Sequence, residues 1–369
     1  MPPLRPSVRH LSRPLRSRGR SSAASISTRP PPFSVVPSCP DPTCPCSAMP
    51  EGLDIDRKNV LNGTISPHAQ HLVVSSGRSD WTSKIEDEKD TAVWGRFTAE
   101  IKGLLGRGGE FHDPYHNDVM VSTSSFTPLE LADQESSVDT TPLISAPEQK
   151  TVDAVLFPAF RQFRGLTLDS KADTSRKLVK SWFLPEERKL NPVYKDLSES
   201  ERRTKTRDPA LAASLDSQPV EATTILICSH GQRDSRCGII GPLLHAEFTS
   251  YINGRKPIDK GLQLEARPGA FLTSSSRTSK ETININVGMI SHIGGHKWAG
   301  NVIMYIPPTF QLPLSASRSP HPLAGLGIWY GRVEPRHVEG IIEQTLLKGK
   351  VIQDLFRGGL GQNGETLRL

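Results

Sequence analysis

The chain has 369 residues, 45 Lys and Arg against 39 Asp and Glu, and a formal charge of +6, so a basic surface for nucleic acid is the first class to test. It fails: seven arginines (Arg5, Arg9, Arg13, Arg16, Arg18, Arg20 and Arg29) lie in residues 1–40 with no Lys and no acid, and the other 38 basic and 39 acidic residues leave a net of −1. With 36% hydrophobic and 23% charged residues the chain can bury a core, which argues against wholesale disorder; no apolar run nears the ~18 residues of a membrane span, and the length suits about two domains.

Residues 1–36 are Arg-rich, Ser-rich and free of acid, and Leu4, Val8, Leu11 and Leu15 fall on one helical face between the arginines. That is the composition of a mitochondrial transit peptide, with the matrix as the expected destination. A disordered basic tail is the plain alternative. A secretory signal is disfavoured because no continuous apolar stretch exists. Residues 37–49 form a Cys-rich segment. Its Cys39, Cys44 and Cys46 are possible redox thiols or soft-metal ligands, against a passive segment with incidental cysteines.

Residues 50–200 read as an N-terminal α/β domain. His71-Leu-Val-Val-Ser-Ser-Gly is a short strand and turn. Val93, Trp94, Phe97, Ile101, Leu104 and Leu105 recur at helical spacing. Residues 119–121 and 152–157 are strands, and the Ser/Thr/Pro/acid-rich stretch 122–150 is a surface insertion. Residues 201–221 serve as a linker to a second domain, 222–369. There, residues 223–228 form a buried strand and 238–251 a helix with Pro242 in an early turn. Ile283, Ile285, Val287 and Met289 alternate with Asn284, Asn286 and Gly288, which is strand periodicity. Residues 302–306 and 327–333 are further strands, and a helix opens after Glu334 with Pro335 near its first position. A faint repeat links His71-Leu-Val-Val-Ser-Ser-Gly-Arg-Ser-Asp to Ile225-Leu-Ile-Cys-Ser-His-Gly-Gln-Arg-Asp, with Ser75 standing where the second copy has Cys228.

Four residues carry the chemistry. Cys228 closes a strand, and Cys237 follows nine positions later across a Gly- and Arg-containing loop. His292 and His296 lie in Ser291-His-Ile-Gly-Gly-His-Lys-Trp, where Gly294 and Gly295 permit positive φ and close approach to a bulky group. Ordinary core residues are one reading, but both cysteines of the second domain fall in one loop and the His pair brackets two glycines. A structural zinc site is a second, though 54 residues between Cys237 and His292 do not make a compact finger. A [2Fe–2S] cluster on two Cys and two His is the third. Cys228-Ser-His230 imitates half of a Rieske motif, but Cys237-Gly-Ile-Ile lacks the other half, so His230 falls to a supporting or surface role. Arg233 and Arg236 in the loop either steer an acidic partner or are simply solvated. Lys297 and Trp298 flank the site.

The stretches Ile225-Leu-Ile-Cys, Val287 to Ile306, Trp329-Tyr-Gly-Arg-Val-Glu-Pro-Arg-His-Val-Glu-Gly and Lys348-Gly-Lys-Val resemble a thioredoxin-like [2Fe–2S] ferredoxin. The resemblance is to the sucrase/ferredoxin-like family, in which a His-x₃-His pair stands where the standard fold has Cys-x₃-Cys. Cys39-Pro-Asp-Pro-Thr-Cys-Pro-Cys, Gly52-Leu-Asp-Ile-Asp and Trp81-Thr-Ser-Lys-Ile-Glu resemble the N-terminal pattern of a fungal group within it. The resemblance implies a thioredoxin-like ferredoxin fold in the C-terminal domain and a related, degenerate α/β N-terminal domain. It also implies a [2Fe–2S] cofactor bound by Cys228, Cys237, His292 and His296, and a protein redox partner. Electron transfer or thiol-redox maintenance is the expected function; a structural zinc protein or an iron–sulfur carrier is the alternative. No G-x-S-x-G, P-loop or strand-linked G-x-G-x-x-G marks an enzyme.

Overall fold

The computed structural model describes residues 33–116, 119–129, 151–168, 173–257, 263–273, 282–311 and 319–369. The leader up to residue 32 and most of the insertion read at 122–150 lie outside them. The chain opens on β1 (Ser34–Val36) and then β2 (Gln70–Ser75), whose unbroken His-Leu-Val-Val run is buried on both faces, as interior strands of a covered sheet are. Helix α1 (Val93–Leu105) buries Val93, Trp94, Phe97, Ile101 and Leu105 along one stripe. Strands β3 (Val119–Ser124), β4 (Thr151–Phe157) and β5 (Arg161–Thr167) follow, then α2 (Thr174–Leu178), which loosens into a π-helical stretch, Val179–Phe183. At the start of the segment read as a linker, α3 (Glu199–Lys205) runs in from a Ser198/Glu201 capping box, and near its end β6 (Ser217–Pro219) pairs with β5.

The second half repeats the plan. β7 (Thr223–Cys228) is buried throughout. Helix α4 (Ser235–Gly254) starts on Asp234, whose side chain accepts from the Arg236 N–H. Then come β8 (Gln263–Arg267), β9 (Thr282–Ile290), β10 (Val302–Tyr305) and β11 (Gly327–Tyr330). A 3₁₀ turn, Pro335–His337, opens α5 (Val338–Gly340), and β12 (Lys350–Ile352), β13 (Phe356–Leu360) and β14 (Thr366–Leu367) complete the chain.

One mixed sheet joins the halves in the order β14-β13-β11-β10-β7-β9-β3-β2-β4-β5-β6, with β8 added alongside β9. The order reads the same outward from the β3/β9 seam. On one side β3 is parallel to β2, and β4 and β5 are antiparallel. On the other, β9 is parallel to β7, and β10 and β11 are antiparallel. The seam bonds come in matched pairs. The Thr123 N–H donates to Ser291 Oγ at 3.0 Å, and the Met289 N–H to Ser125 Oγ at 3.0 Å. The register also puts Ser75 at the position of Cys228. The next N–H in each half, Ser76 and Ser229, donates to the equivalent carbonyls of Ser124 and Ile290. The faint sequence repeat is therefore a repeat of topology.

Side chains alternate across the sheet. Leu72, Val74 and Leu156 pack with α1, whereas Val73, Val155 and Phe157 join the larger core of the second half. Residues 33–65 are fastened to that second half. β1 pairs with β12, the ring of Phe33 sits edge-on to Phe356, Thr43 and Ser47 bond to Glu339 and Glu247, and Arg57 pairs with Glu334. Among the described residues no helix is long and apolar enough to cross a membrane.

Candidate metal centre

The parallel strands β7 and β9 end side by side, and the crevice beyond such strand ends is where α/β sheets collect ligands. Cys228 is the last residue of β7, and Cys237 lies in the first turn of α4. Both are free thiols and fully buried. They are in hydrogen-bond contact with each other, and Cys228 also touches the imidazole of His292. The Cys237 thiol donating to it, with the imidazole beside it, pushes the Cys228 thiol well down. Cys237, donating to a buried neighbour that carries the charge, is pushed far up.

His292 follows β9 by two residues, and His296 opens a 3₁₀ turn, His296–Trp298. Gly294 (φ 82°) and Gly295 (φ 76°) reverse the chain between them in the left-handed region, which leaves the two rings 5.2 Å apart at 36°. The Nδ1 atoms of both histidines are buried without a hydrogen-bond partner among the described residues. Two touching thiols and two imidazole nitrogens with unused lone pairs are a donor set suited to a borderline-soft metal or an iron–sulfur group. Among the described residues no three His, Cys, Asp or Glu side chains are arranged around one point as a metal ion would require. Cys228 links the two sets of donors, lying against both Cys237 and the His292 ring.

Around them is a ring of fixed contacts. His230 is buried; its Nδ1 accepts from the His292 N–H at 3.0 Å, and its Nε2–H reaches the carbonyls of Trp81 (2.9 Å) and Thr82 (2.8 Å). This residue supports the loop that carries His292 and His296 rather than facing solvent. Arg236 is held by Asp234 and the Asp54 carbonyl, and Arg233 donates to the Ser83 carbonyl, so each of these loop arginines already has a partner within the chain. Lys297 pairs with Asp56 and lies 4.5 Å above the Trp298 ring. Sequence reading passed over two contributors. Arg357 on β13 is buried and donates to Gly294 O, Asn301 Oδ1, Thr64 O and Thr64 Oγ1. Asn301 in turn donates to the Gly295 carbonyl. The signal for Arg357 was a lone charge in the apolar, glycine-rich run Phe356-Arg-Gly-Gly-Leu.

The N-terminal cysteines lie over α5. Cys39 packs on Gly340 and points its thiol at the His337 carbonyl. Burial pushes that thiol up to about 11. Cys44 and Cys46 are exposed. Partial desolvation and the Glu339 carboxylate, 3.4 Å from its sulfur, raise the Cys44 thiol.

No solved structure gives a significant match. The chain is 26% identical over 337 residues to "Altered inheritance of mitochondria protein 32" of Meyerozyma guilliermondii, covering 88% of this chain and 94% of that protein. It is 28% identical over 334 residues to the protein of the same name in Debaryomyces hansenii, covering 88% and 95%. A match to the Clavispora lusitaniae protein reaches 34% identity over 140 residues, covering 38% and 36%. The Sucrase/ferredoxin-like family profile matches residues 61–358, a span that runs from the Leu61 turn through both halves of the sheet to the strand bearing Arg357, and on that match the chain belongs to the sucrase/ferredoxin-like family.

Proposed function

We propose that this chain is a mitochondrial redox protein that binds a [2Fe–2S] cluster through Cys228, Cys237, His292 and His296 and serves electron transfer or thiol-redox maintenance. The observation that carries the reading is the pair of buried, unpartnered Nδ1 atoms set beside a buried thiol pair. A [2Fe–2S] group takes two protein donors per iron, and in Rieske centres the two histidines share one iron, so it calls for two pairs of ligands rather than one convergent set. The arginine-rich leader and the names of the relatives support a mitochondrial location, and the type of leader favours the matrix.

Bound there, the group would supply reversible one-electron transfer. The chain's own residues define its setting. Cys228 and Cys237 contribute the negative charge, and His292 and His296 coordinate as neutral rings. Replacing two thiolates by imidazoles makes the site less anionic, which favours the reduced form and raises the potential. His230 fixes the start of the ligand loop, while Trp298 and the Asp56–Lys297 pair close its far side. The test is iron and acid-labile sulfide analysis of purified protein, with absorption and EPR spectra before and after dithionite. Two irons and two sulfides per chain with a rhombic reduced signal are expected. Zinc alone, or a cluster that persists in Cys228→Ala, would refute the assignment.

A further inference from the structure

Resting on the cluster reading, we infer that Arg357 is the fixed counter-charge of the thiolate side of this site and favours its reduced form. The guanidinium is 1% exposed, and a buried charge is tolerated only where something compensates it. Its hydrogen bonds go to Gly294 O (3.1 Å), Asn301 Oδ1 (2.7 Å), Thr64 O (3.0 Å) and Thr64 Oγ1 (3.2 Å), all uncharged acceptors. No carboxylate pairs with it among the described residues. The Trp298 ring, 5.2 Å from its central carbon, covers it with π density and carries no net charge. Burial lowers its affinity for the proton to about 10, and the opposing influences come from Cys228 and Cys237. Asn301 ties it to the cysteine side of the site: its Oδ1 accepts from Arg357, and its carbonyl accepts from the Cys228 N–H at 3.0 Å.

The chain makes room for it. A Cβ on Gly295 would fall 2.4 Å from its Nη2, and one on Gly331 2.7 Å from its Cδ. The same guanidinium holds the Gly294 carbonyl, and Asn301 holds the Gly295 carbonyl, so the turn between the histidines is tied to the charge. Two thiolates cancel the charge of an oxidised cluster core. One electron, taken from a one-electron reductant, converts one ferric ion to ferrous and breaks no bond, so the reduced site is a net anion. Arg357 then neutralises it.

The test is redox titration of the purified holoprotein and of Arg357→Gln and Arg357→Lys, followed by EPR, with iron and sulfide measured in each. Arg357→Gln should be at least tenfold harder to reduce, a fall of about 59 mV for a one-electron couple, whereas Arg357→Lys should stay within twofold of wild type. A wild-type potential in Arg357→Gln, or equal shifts in both variants, would show a tether without an electrostatic role and overturn the inference. If Arg357→Gln loses its cluster, Arg357→Lys decides: a near-native potential upholds the counter-charge, and a tenfold shift or loss of the cluster overturns it. Wild-type protein without iron and sulfide would instead sink the cluster reading itself.

Discussion

His230→Ala is the sharpest test of how the halves build one site. The imidazole accepts the His292 N–H at 3.0 Å and donates to the carbonyls of Trp81 at 2.9 Å and Thr82 at 2.8 Å. It also meets the Trp81 ring edge-on at 5.9 Å. Alanine removes these bonds and leaves a buried donor and at least one buried acceptor unpaired. Each such orphan costs about 1–3 kcal/mol; water entering the vacated space recovers part of this, so a loss of about 3 kcal/mol is expected. Urea unfolding should show a lower midpoint with an unchanged slope. On the proposed cluster assignment the variant should also hold less iron than wild type after desalting, because the His292 backbone is no longer fixed. A loss below about 1 kcal/mol, or full iron retention at that cost, would refute the idea that this contact sets the ligand loop.

Further outcomes follow from the same geometry. Gly295→Ala should cost clearly more than Gly294→Ala by thermal unfolding: both pay about 1–2 kcal/mol for a side chain at positive φ, but only the first also drives a Cβ into Arg357, while the second meets Ser66 Oγ at 3.3 Å. Equal losses would count against that packing. Acid should destabilise the protein through His321, which is buried, bonded as a neutral ring to Leu346 O, and held down to about 4 from 6.5 by burial. The unfolded chain takes up this proton below pH 6.5 and the folded chain does not, so stability falls as pH drops from about 6.5 to about 4, by up to about 3 kcal/mol; a His321→Gln variant with the same acid slope in denaturant titrations would refute this. Glu339→Gln should speed alkylation of Cys44 a few-fold at pH 8, since a carboxylate that raises the thiol is removed. Cys46 serves as the internal control, and equal acceleration of both would point to loosening of the segment instead.

Most strands and helices were legible because their periodicities are strong. The run Leu72-Val-Val and the alternation from Ile283 to Met289 both became interior strands, and the stripe from Val93 to Leu105 became α1. Helix α3 was missed inside a polar stretch, although Ser198-Glu-Ser-Glu201 carries the capping-box spacing. Its stability comes from end contacts and charge, which leave no apolar stripe to read. The packing of residues 33–65 against the second half was invisible for a different reason. It rests on polar bonds between partners such as Thr43 and Glu339, 296 positions apart, and on one short parallel strand pair. Arg357 belongs to the same class: local sequence marks it as odd, but only the fold brings it under a turn 63 residues earlier.

The mirrored strand order gives the first half a structural part in the candidate site. Ser75 occupies the position of Cys228, so the first half lacks the thiolate that a soft metal group needs. What it offers instead is the loop after β2, whose carbonyls receive the loop after β7. Ser229 Oγ donates to Ser79 O at 2.7 Å, His230 to Trp81 and Thr82, and Arg233 to Ser83 at 3.1 Å. The Asp80 carboxylate accepts from the Gln232 N–H at 3.3 Å. Such backbone acceptors tolerate many side-chain changes, whereas metal donors do not. The first half is thus the wall that orders the second half's cysteine loop, and it fills that part through its backbone, with side chains unlike those of the second half.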